Sequence, residues 1–227
     1  MILTQHGMNS IQRGQPVPPG PTEVEIGGKT YPVVKIGNQY WMAENLDYQF
    51  DGCAIAPTSK PYTAGAWYWQ NDESTYGYGG KKYGLMYNGH AMMALVNNKD
   101  TLIPGWHVPT QSDFDELVTT AGGTNSAGIA LKSTDYWTSS TMSGGGNGTD
   151  AFGFNGLPTG YVYWSSSTTV AFSSEFKYAY FWSSTKRSAS FSYTYYMKLT
   201  YWTGECTTSS EAFFTDYGIP IRLVKDT

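Results

Sequence analysis

The chain has 227 residues, the length of one large domain or two small ones, and its hydrophobic content of 40% suffices for a buried core. The formal net charge of -4 and the charged fraction of only 14% argue against partners such as nucleic acid or an anionic membrane. Aromatic residues make up 16% and there are 26 glycines, which favours a loop-rich fold over a helical bundle.

Cysteine content and hydropathy exclude two further classes of protein. Cys53 and Cys206 are the only cysteines, so the chain has no disulfide framework; two free thiols are expected, with a single bridge left open. No apolar run approaches the roughly 18 residues that span a bilayer, so we expect no membrane insertion. Residues 1–14 lack the basic start and apolar stretch of a signal peptide, which predicts no export by the general secretion route.

The N-terminal part is predicted to be separate from the main domain. Residues 14–21, GQPVPPGP, contain four prolines, which cannot continue a helix or a central strand and indicate an extended spacer. We therefore divide the chain into residues 1–22, a short attachment strand with a Pro/Gly linker, and residues 23–227, a single ligand-binding domain. The alternative for residues 1–13 is an unstructured tail.

The main domain begins with a strand pattern. In residues 24–46, Gly27 and Gly28 separate two runs with alternating apolar residues, which predicts a β-hairpin. Residues 84–96, GLMYNGHAMMALV, are apolar on most faces and predict a buried helix that Gly89 weakens.

A second helix has clearer signals at both ends. Thr110 and Asp113 have the spacing of a capping box, and apolar residues then repeat at helical intervals. Gly122 and Gly123 are expected to end this helix.

Beyond Thr124 the sequence shows no helical period. Residues 138–150 are rich in glycine and serine and predict a loop, and short aromatic strands with Ser/Thr turns follow. The last predicted strand, residues 218–226, places Arg222 on the face opposite its apolar residues. Two helices within a mostly β chain, with its terminal strands paired, predict an α+β fold.

Six phrases resemble one protein family and occur in that family's order, over residues 24–226. They are VKIGNQYWMAENL (34–46), YGLMYNGHA (83–91), PGWHVPTQSDFDEL (104–117), FGFNGLPTGY (152–161), YFWSST (180–185) and GIPIRLVKD (218–226). The family is the Fibrobacter succinogenes major paralogous domain family. The resemblance implies a C-type lectin-like fold, with paired terminal strands, two helices and a loop-rich second sheet region. It also implies a link to the variable proteins of diversity-generating retroelements, in which adenine-directed mutagenesis rewrites the last part of the gene.

The chain departs from the family pattern in one segment. Family members often have asparagine-rich stretches there, whereas no asparagine occurs between Tyr161 and Tyr217. Serine, threonine, tyrosine and phenylalanine are abundant instead, and an AAC codon altered at its adenines can encode each of them. We therefore expect a variable region at about residues 161–217. Tryptophan and lysine cannot arise in this way, so Trp164, Trp202 and Lys198 have another origin.

The composition of this region is typical of a binding surface. Tyrosine and tryptophan bring large contact area with few torsions to freeze, and serine and threonine adapt to polar groups of a partner. We take Met197 and Leu199 as inward-facing residues of a strand. Because side chains alternate along a strand, Tyr193, Tyr195 and Tyr201 are then expected to point inward as well. Every second residue from Thr194 to Trp202 is expected to point outward. The predicted ligand-binding residues are Tyr163, Trp164, Phe176, Lys177, Lys186, Arg187, Thr194, Tyr196, Lys198, Thr200 and Trp202. Trp182, in contrast, is expected in the core.

No motif for catalysis or metal binding stands out. The Glu-Pro-Asn or Gln-Pro-Asp loop of calcium-dependent lectins does not occur, and residues 70–73 are expected to form a solvated turn rather than a calcium site. His6, His90 and His107 are scattered, so we assign no catalytic residue, no metal and no cofactor. Formylglycine-generating enzymes share the general fold and use cysteines, but the two cysteines here show no such motif.

The sequence thus predicts a non-enzymatic receptor-binding protein at a phage tail tip, within the virion, that mediates host attachment. Its expected partner is a protein or glycan receptor on a bacterial cell surface. A homotrimer, or attachment to a tail or pilus component through residues 1–13, is left open. The alternatives are a bacterial cell-surface adhesin or pilus-tip protein of the same family and, third, an enzyme.

Overall fold

The computed structural model describes residues 20–58, 63–77, 80–187, 193–208 and 212–227. Residues 212–214 are described by their backbone alone. The predicted attachment strand of residues 1–13 lies outside the described residues. The strands are β1 Glu23–Ile26, β2 Lys29–Ile36, β3 Gln39–Met42, β4 Ala54–Ile55, β5 Gly65–Trp67, β6 Met86–Tyr87, β7 Tyr161–Trp164, β8 Val170–Ser173, β9 Tyr178–Lys186, β10 Tyr193–Thr200, β11 Cys206–Thr207, β12 Ala212–Phe214 and β13 Val224–Asp226. The helices are α1 Glu73–Tyr76, α2 Gly89–Asn97, α3 Lys99–Leu102, α4 Gln111–Thr120 and α5 Ala127–Leu131.

The strands form mostly antiparallel sheets, which together with the helices make the fold α+β, as predicted. One sheet has the order β1-β2-β3-β13, so both ends of the domain share a sheet. The terminal strands β1 and β13, which the sequence predicts to be paired, do not pair directly, because β13 pairs with β3 and β1 with β2. In the second sheet β9 pairs with one edge of β10, and β11 and β12 pair with the other. The structure also contains a small sheet of β4-β5-β6 and the β7-β8 hairpin. Among the strands in the described part of the chain, only β4 and β5 pair in parallel.

The first hairpin forms as predicted. Gly27 and Gly28 have φ angles of 61° and 76°, and two positive φ angles in a two-residue loop are the requirement of a type I′ turn. The register pairs Ile26 with Lys29 directly across this turn. Glycine adopts these angles without strain, so the local sequence is sufficient to specify the turn.

The helix at Thr110 is also confirmed, whereas the other helix predictions need correction. Thr110 caps α4 in a complete capping box with Asp113. The helix predicted over residues 84–96 begins only at Gly89, because Met86–Tyr87 is a strand and the Asn88 side chain caps α2 by accepting from the Ala91 N–H.

Helix α5 was not predicted, since no helical period was found beyond Thr124. It has only five residues and no side-chain cap. Its buried face carries Ala127, Gly128 and Leu131. A Cβ on Gly128 would lie 2.7 Å from the Glu205 carbonyl oxygen, so the helix forms against a distant part of the chain. Tertiary packing, not local propensity, accounts for it.

The predicted last strand is also shorter than expected. Of residues 218–226 only β13 is a regular strand, because Pro220 has no N–H for a sheet ladder. Ile219, Ile221 and Leu223 nevertheless lie fully buried in one core cluster. Arg222 points to the opposite side, as predicted, but that side is another core and not solvent.

The β9-β10 pair has a hydrophobic core on each of its faces. Tyr180, Trp182 and Tyr196 pack into one core cluster together with the α2 helix. The alternate residues Phe181 and Met197 pack into a second cluster with the α4 helix. A third, smaller cluster lies beneath the β7-β8 hairpin. This pair therefore separates the two main cores, which confirms the predicted core position of Trp182.

The Arg222 guanidinium ties the sheet end to the loops around it. It donates to the Asn45 side-chain oxygen at 2.6 and 3.1 Å, to the Met42 carbonyl at 3.1 Å, and to the Phe154 carbonyl. It also lies 5.4 Å from the Phe181 ring centroid. Burial lowers the pKa of Arg222 to about 9, so the group stays charged at neutral pH.

None of the helices in the described part of the chain is long and apolar enough to cross a membrane.

Replacing Arg222 with methionine is expected to lower the free energy of unfolding by about 3 kcal/mol or more, because several buried acceptors lose their donor. Urea denaturation measures the change. Arg187→Met is the matched control: Arg187 is exposed, so the effect there should stay within about 0.5 kcal/mol. Equal effects for the two variants would contradict the anchoring role of Arg222.

Candidate ligand-binding surface

Aromatic side chains form a continuous row along one side of the segment between residues 161 and 217. Neighbouring ring centroids lie 5.1–6.2 Å apart. In order of contact, this aromatic stripe consists of Tyr163, Tyr217, Tyr161, Tyr180, Tyr178, Trp202 and Tyr201. All except Tyr180 are only partly buried, so part of each of these residues is at the surface.

Local pairing positions one end of the stripe. Val162 in β7 exchanges two backbone hydrogen bonds with Gly218, at 2.8 and 2.9 Å, and its side chain is fully buried. Because side chains alternate along a strand, Tyr161 and Tyr163 then point to the face opposite Val162, where Tyr161 packs partly against the core cluster of Trp182. Tyr217, next to Gly218, stacks on the Tyr163 ring with an interplanar angle of 22°.

The middle of the stripe lies on one face of the β9-β10 pair, which is buried at one end and partly exposed at the other. Residues opposite each other in β9 and β10 share a face, and Lys198 lies opposite Tyr180 while Thr200 lies opposite Tyr178. Burial falls along this face, from the fully buried Trp182 through Tyr180 to the partly exposed Tyr178. Lys198 is partly exposed as well, so it adds a positive charge beside the tyrosines.

A buried lysine holds the loop at the other end of the stripe. The Lys132 ammonium donates to the carbonyl oxygens of Gly144, Thr200 and Thr203 at 2.8, 3.2 and 3.1 Å. These bonds fix the chain on both sides of Trp202. Burial lowers the pKa of Lys132 to about 8, but three carbonyl acceptors match the three donors of an ammonium, so we take it as charged at neutral pH.

The structure gathers only some of the predicted ligand-binding residues. Tyr163 and Trp202 belong to the stripe, and Lys198 adjoins it. Phe176 and Lys177, just before β9, are exposed. Lys186 and Arg187 are exposed too, but they lie at the far end of β9, about 26 Å from Tyr178 at the rise of an extended strand.

Three predicted surface residues are instead interior, so the expectation that they point outward is wrong. Thr194, Tyr196 and Thr200 are 0%, 5% and 4% exposed. Alternation places these residues in water only if one face of β10 is exposed, but both faces of β10 are covered by cores. Tyr196 packs edge-on against Tyr180 with ring centroids 5.2 Å apart.

Trp164 and Tyr201 are both partly buried. The Trp164 indole nitrogen is buried without a hydrogen-bond partner among the described residues, and its ring packs against Trp67. Tyr201 packs partly against the core cluster of Met197 and Leu199, as expected for an inward residue, and its ring also contacts Trp202.

The stripe also includes Tyr161, Tyr178 and Tyr217, which were not among the predicted ligand-binding residues. Tyr161 and Tyr178 lie two residues from Tyr163 and Tyr180, so a strand period extended over β7 and β9 would have found them. No sequence signal places Tyr217 there.

One other group of polar side chains has the spacing of a metal site. The ligand atoms of His107, Asp113 and Asp226 lie within 4.8 Å of one another. Asp113, however, already accepts from the Thr110 N–H and hydroxyl, both at 2.7 Å, and lies 3.2 Å from the His107 ring nitrogen. One carboxylate oxygen of Asp113 is thus engaged in capping α4, and the other accepts from the Gln39 side chain at 3.1 Å.

The two thiols lie apart, in different core clusters. Cys53 and Cys206 are both free and buried, which confirms the expectation of two free thiols. Burial raises the pKa of Cys53 to about 12 and that of Cys206 still further. Such thiols are protonated at neutral pH and are poor nucleophiles.

We expect neither thiol to react with iodoacetamide in the native protein at about pH 8, because the thiolate is the reactive form and both groups are buried. In concentrated urea both should react, which mass spectrometry would count. Rapid labelling of one cysteine in the native protein would contradict this and point to a reactive thiol.

Tyr196→Ala is expected to lower the free energy of unfolding by about 3 kcal/mol, since it leaves a cavity in a core. Trp202→Ala should cost about 1 kcal/mol or less, because Trp202 is partly exposed. Thermal and urea unfolding measure both. A larger cost for Trp202 than for Tyr196 would contradict the division into interior and surface residues.

A family model described as the Fibrobacter succinogenes major domain matches residues 34–225. No match is found among curated proteins or among solved structures. The matched residues run from within β2 to within β13 and include most of both main core clusters, together with β3 and parts of β2 and β13 from the first sheet. They also include the whole aromatic stripe. Because the match covers more than half of the chain, the chain belongs to the Fibrobacter succinogenes major domain family.

Proposed function

We propose that this protein is a non-enzymatic receptor-binding protein whose aromatic stripe contacts a partner on a bacterial cell surface. The observation that carries the proposal is the stripe itself. A row of tyrosines and one tryptophan in which all members but Tyr180 are partly exposed is unusual on a monomer surface, where large apolar patches mark interaction sites. Lys198 beside the tyrosines adds a charge that favours partners with acidic or hydroxyl-rich groups.

The chemistry of the stripe suits recognition better than catalysis. Each tyrosine offers a large, stiff ring and one hydroxyl that can donate or accept a hydrogen bond. A central aromatic residue at an interface contributes about 2 kcal/mol or more, so three or four support micromolar affinity or better. The buried thiols with raised pKa values, in separate cores, support a non-enzymatic role.

The proposal includes a C-type lectin-like fold and diversification by a retroelement. A sheet that holds both ends of the domain, with two longer helices and a loop-rich later half, supports the fold. The stripe tyrosines can all arise from adenine changes in AAC codons. Fewer positions between residues 161 and 217 are expected to vary once burial is known, because changes at Thr194, Tyr196 or Thr200 would disturb the core.

The proposed carrier is a phage tail tip, with a bacterial adhesin or pilus-tip protein as the alternative. On a phage tail, residues 1–13 would attach the protein to the tail or to sister copies. Virion proteomics and the gene neighbourhood separate the two carriers. A neighbouring reverse transcriptase gene with a near-repeat of the gene's end would support diversification, and its absence would oppose it.

The surface itself is tested by binding of fluorescently labelled protein to a panel of bacterial strains. For a strain that binds the native protein, Trp202→Ala and Tyr178→Ser are expected to weaken binding about 30-fold each, as for a central aromatic contact of about 2 kcal/mol. Met142→Ala is the matched control: Met142 is 57% exposed and lies outside the stripe, so binding should not change.

Equal binding by the Trp202, Tyr178 and Met142 variants would show that the stripe does not contact the receptor. Sequencing of the gene in sibling isolates provides an independent check. Variation should concentrate at exposed positions of residues 161–217 and spare Trp182 and Tyr196, which are buried. Variation spread evenly over buried and exposed positions would contradict the proposal.

A further inference from the structure

A second aromatic cluster surrounds one lysine. The Lys81 ammonium nitrogen lies 4.7, 5.6, 5.8 and 5.3 Å from the ring centroids of Tyr76, Tyr83, Tyr136 and Phe176. We call these four rings the cage. The cage shares no residue with the aromatic stripe. Four rings within about 6 Å of one cation far exceed the single ring of an ordinary cation–π contact.

One carboxylate completes the cage. A Glu175 oxygen lies 3.6 Å from the Lys81 nitrogen and accepts a hydrogen bond from the Tyr83 hydroxyl at 3.2 Å. The carboxylate and the electron-rich ring faces therefore act on the same point. Their combined field selects a cation and disfavours a neutral or anionic group there.

Separate parts of the chain bring the rings together. Tyr76 ends α1, Tyr83 is fully buried and packs against Tyr76 at 5.3 Å, and Tyr136 meets Tyr83 edge-on at 6.5 Å. Phe176 is held by its backbone: its N–H donates to the Pro158 carbonyl at 2.9 Å, and its own carbonyl accepts from the Thr138 N–H at 2.8 Å.

The two outer rings stand in backbone conformations that large side chains avoid. Tyr136 has φ of 71° and Phe176 has φ of 63°, although neither is glycine or asparagine. They are also 46% and 37% exposed. Packing does not explain such residues, because burial of the two rings is incomplete. Strain of this kind is found at ligand clamps and other functional sites.

Lysine is a poor match for this cage. Its ammonium is compact and strongly hydrated, and its three N–H donors gain little from ring faces. A quaternary ammonium group has no N–H to satisfy and spreads its charge over methyl groups, which is why aromatic cages recognise it. A ligand of that kind would lose less on leaving water than Lys81 does.

We propose that the cage is a binding site for a quaternary ammonium group of choline type, and that Lys81 occupies it as an internal competitor until such a ligand displaces it. The outer rings Tyr136 and Phe176 form the entrance, and Glu175 provides the counter-charge. The proposal does not depend on the function proposed for the stripe.

The test is a calorimetric or NMR titration of the full chain with choline. The native protein is expected to bind weakly, and Lys81→Ala at least tenfold more tightly, because the competitor is gone. Lys81→Gln, which keeps much of the side-chain bulk without charge, should lie between the two. Lys177→Ala is the matched control: it removes an exposed charge beside Phe176 and should leave choline affinity unchanged.

The rings and the charge are tested in the Lys81→Ala background. Phe176→Asn and Tyr136→Asn should each reduce choline affinity at least tenfold; asparagine tolerates the positive φ, so the backbone is retained while the ring is lost. Glu175→Gln should reduce it less. The neutral isostere of choline, in which carbon replaces nitrogen, should bind more weakly than choline to every variant that keeps the cage.

Two results would overturn the proposal: choline affinity that is the same with and without Lys81, or affinity unchanged by loss of the Phe176 and Tyr136 rings. Unfolding curves for each variant establish that it is folded. Trp202→Ala, which alters the stripe alone, should bind choline like the native protein. The choline titration therefore tests the proposal for the cage independently of the proposal for the stripe.

Discussion

Burial of the β9-β10 pair on both faces is the constraint on which the rest of the structure depends. Cross-strand partners such as Trp182 and Tyr196 point into one core, while Phe181 and Met197 point into the other. The pair therefore cannot carry a variable surface along its whole length. Aromatic residues in its middle are structural, and only residues near the ends of the strands and in the adjoining loops are available to a partner.

This constraint also explains where the stripe runs. Tyr178 opens β9 and Trp202 follows the end of β10, so both lie where the cores end. Buried polar anchors keep these margins in place. Arg222 joins the last segment of the chain to the loops after β3, and Lys132 holds the carbonyls on either side of Trp202. Rigid support of this kind lets exposed side chains change at small cost to stability, since surface substitutions seldom exceed about 0.5 kcal/mol.

The stripe and the cage both consist mainly of aromatic rings rather than charged side chains. The chain has few charged residues, so aromatic residues provide much of its polar contact capacity. On the stripe this capacity comes from tyrosine hydroxyls, and around Lys81 it comes from ring faces. In the proposed roles, the stripe would offer a broad, adaptable contact area, whereas the cage would hold one cationic group. Two such sites on one domain would let it combine a contact that varies with one that does not.

Several elements could be predicted because their signals are local. Gly27 and Gly28 specify a type I′ turn, and Thr110 with Asp113 specifies the start of α4, by hydrogen bonds and φ angles within a few residues. The family phrases identified the family over nearly the whole domain. The core position of Trp182 was likewise correct.

What only the tertiary structure decided is which residues meet water and which side chains meet each other. Tyr196 was expected on an exposed face of β10, yet it is buried, because distant segments cover both faces of that strand. Helix α5 and the cage around Lys81 likewise depend on contacts between residues far apart in sequence. Burial is a property of such long-range contacts, so the sequence by itself determined the turns, the caps and the family, and folding decided the surface.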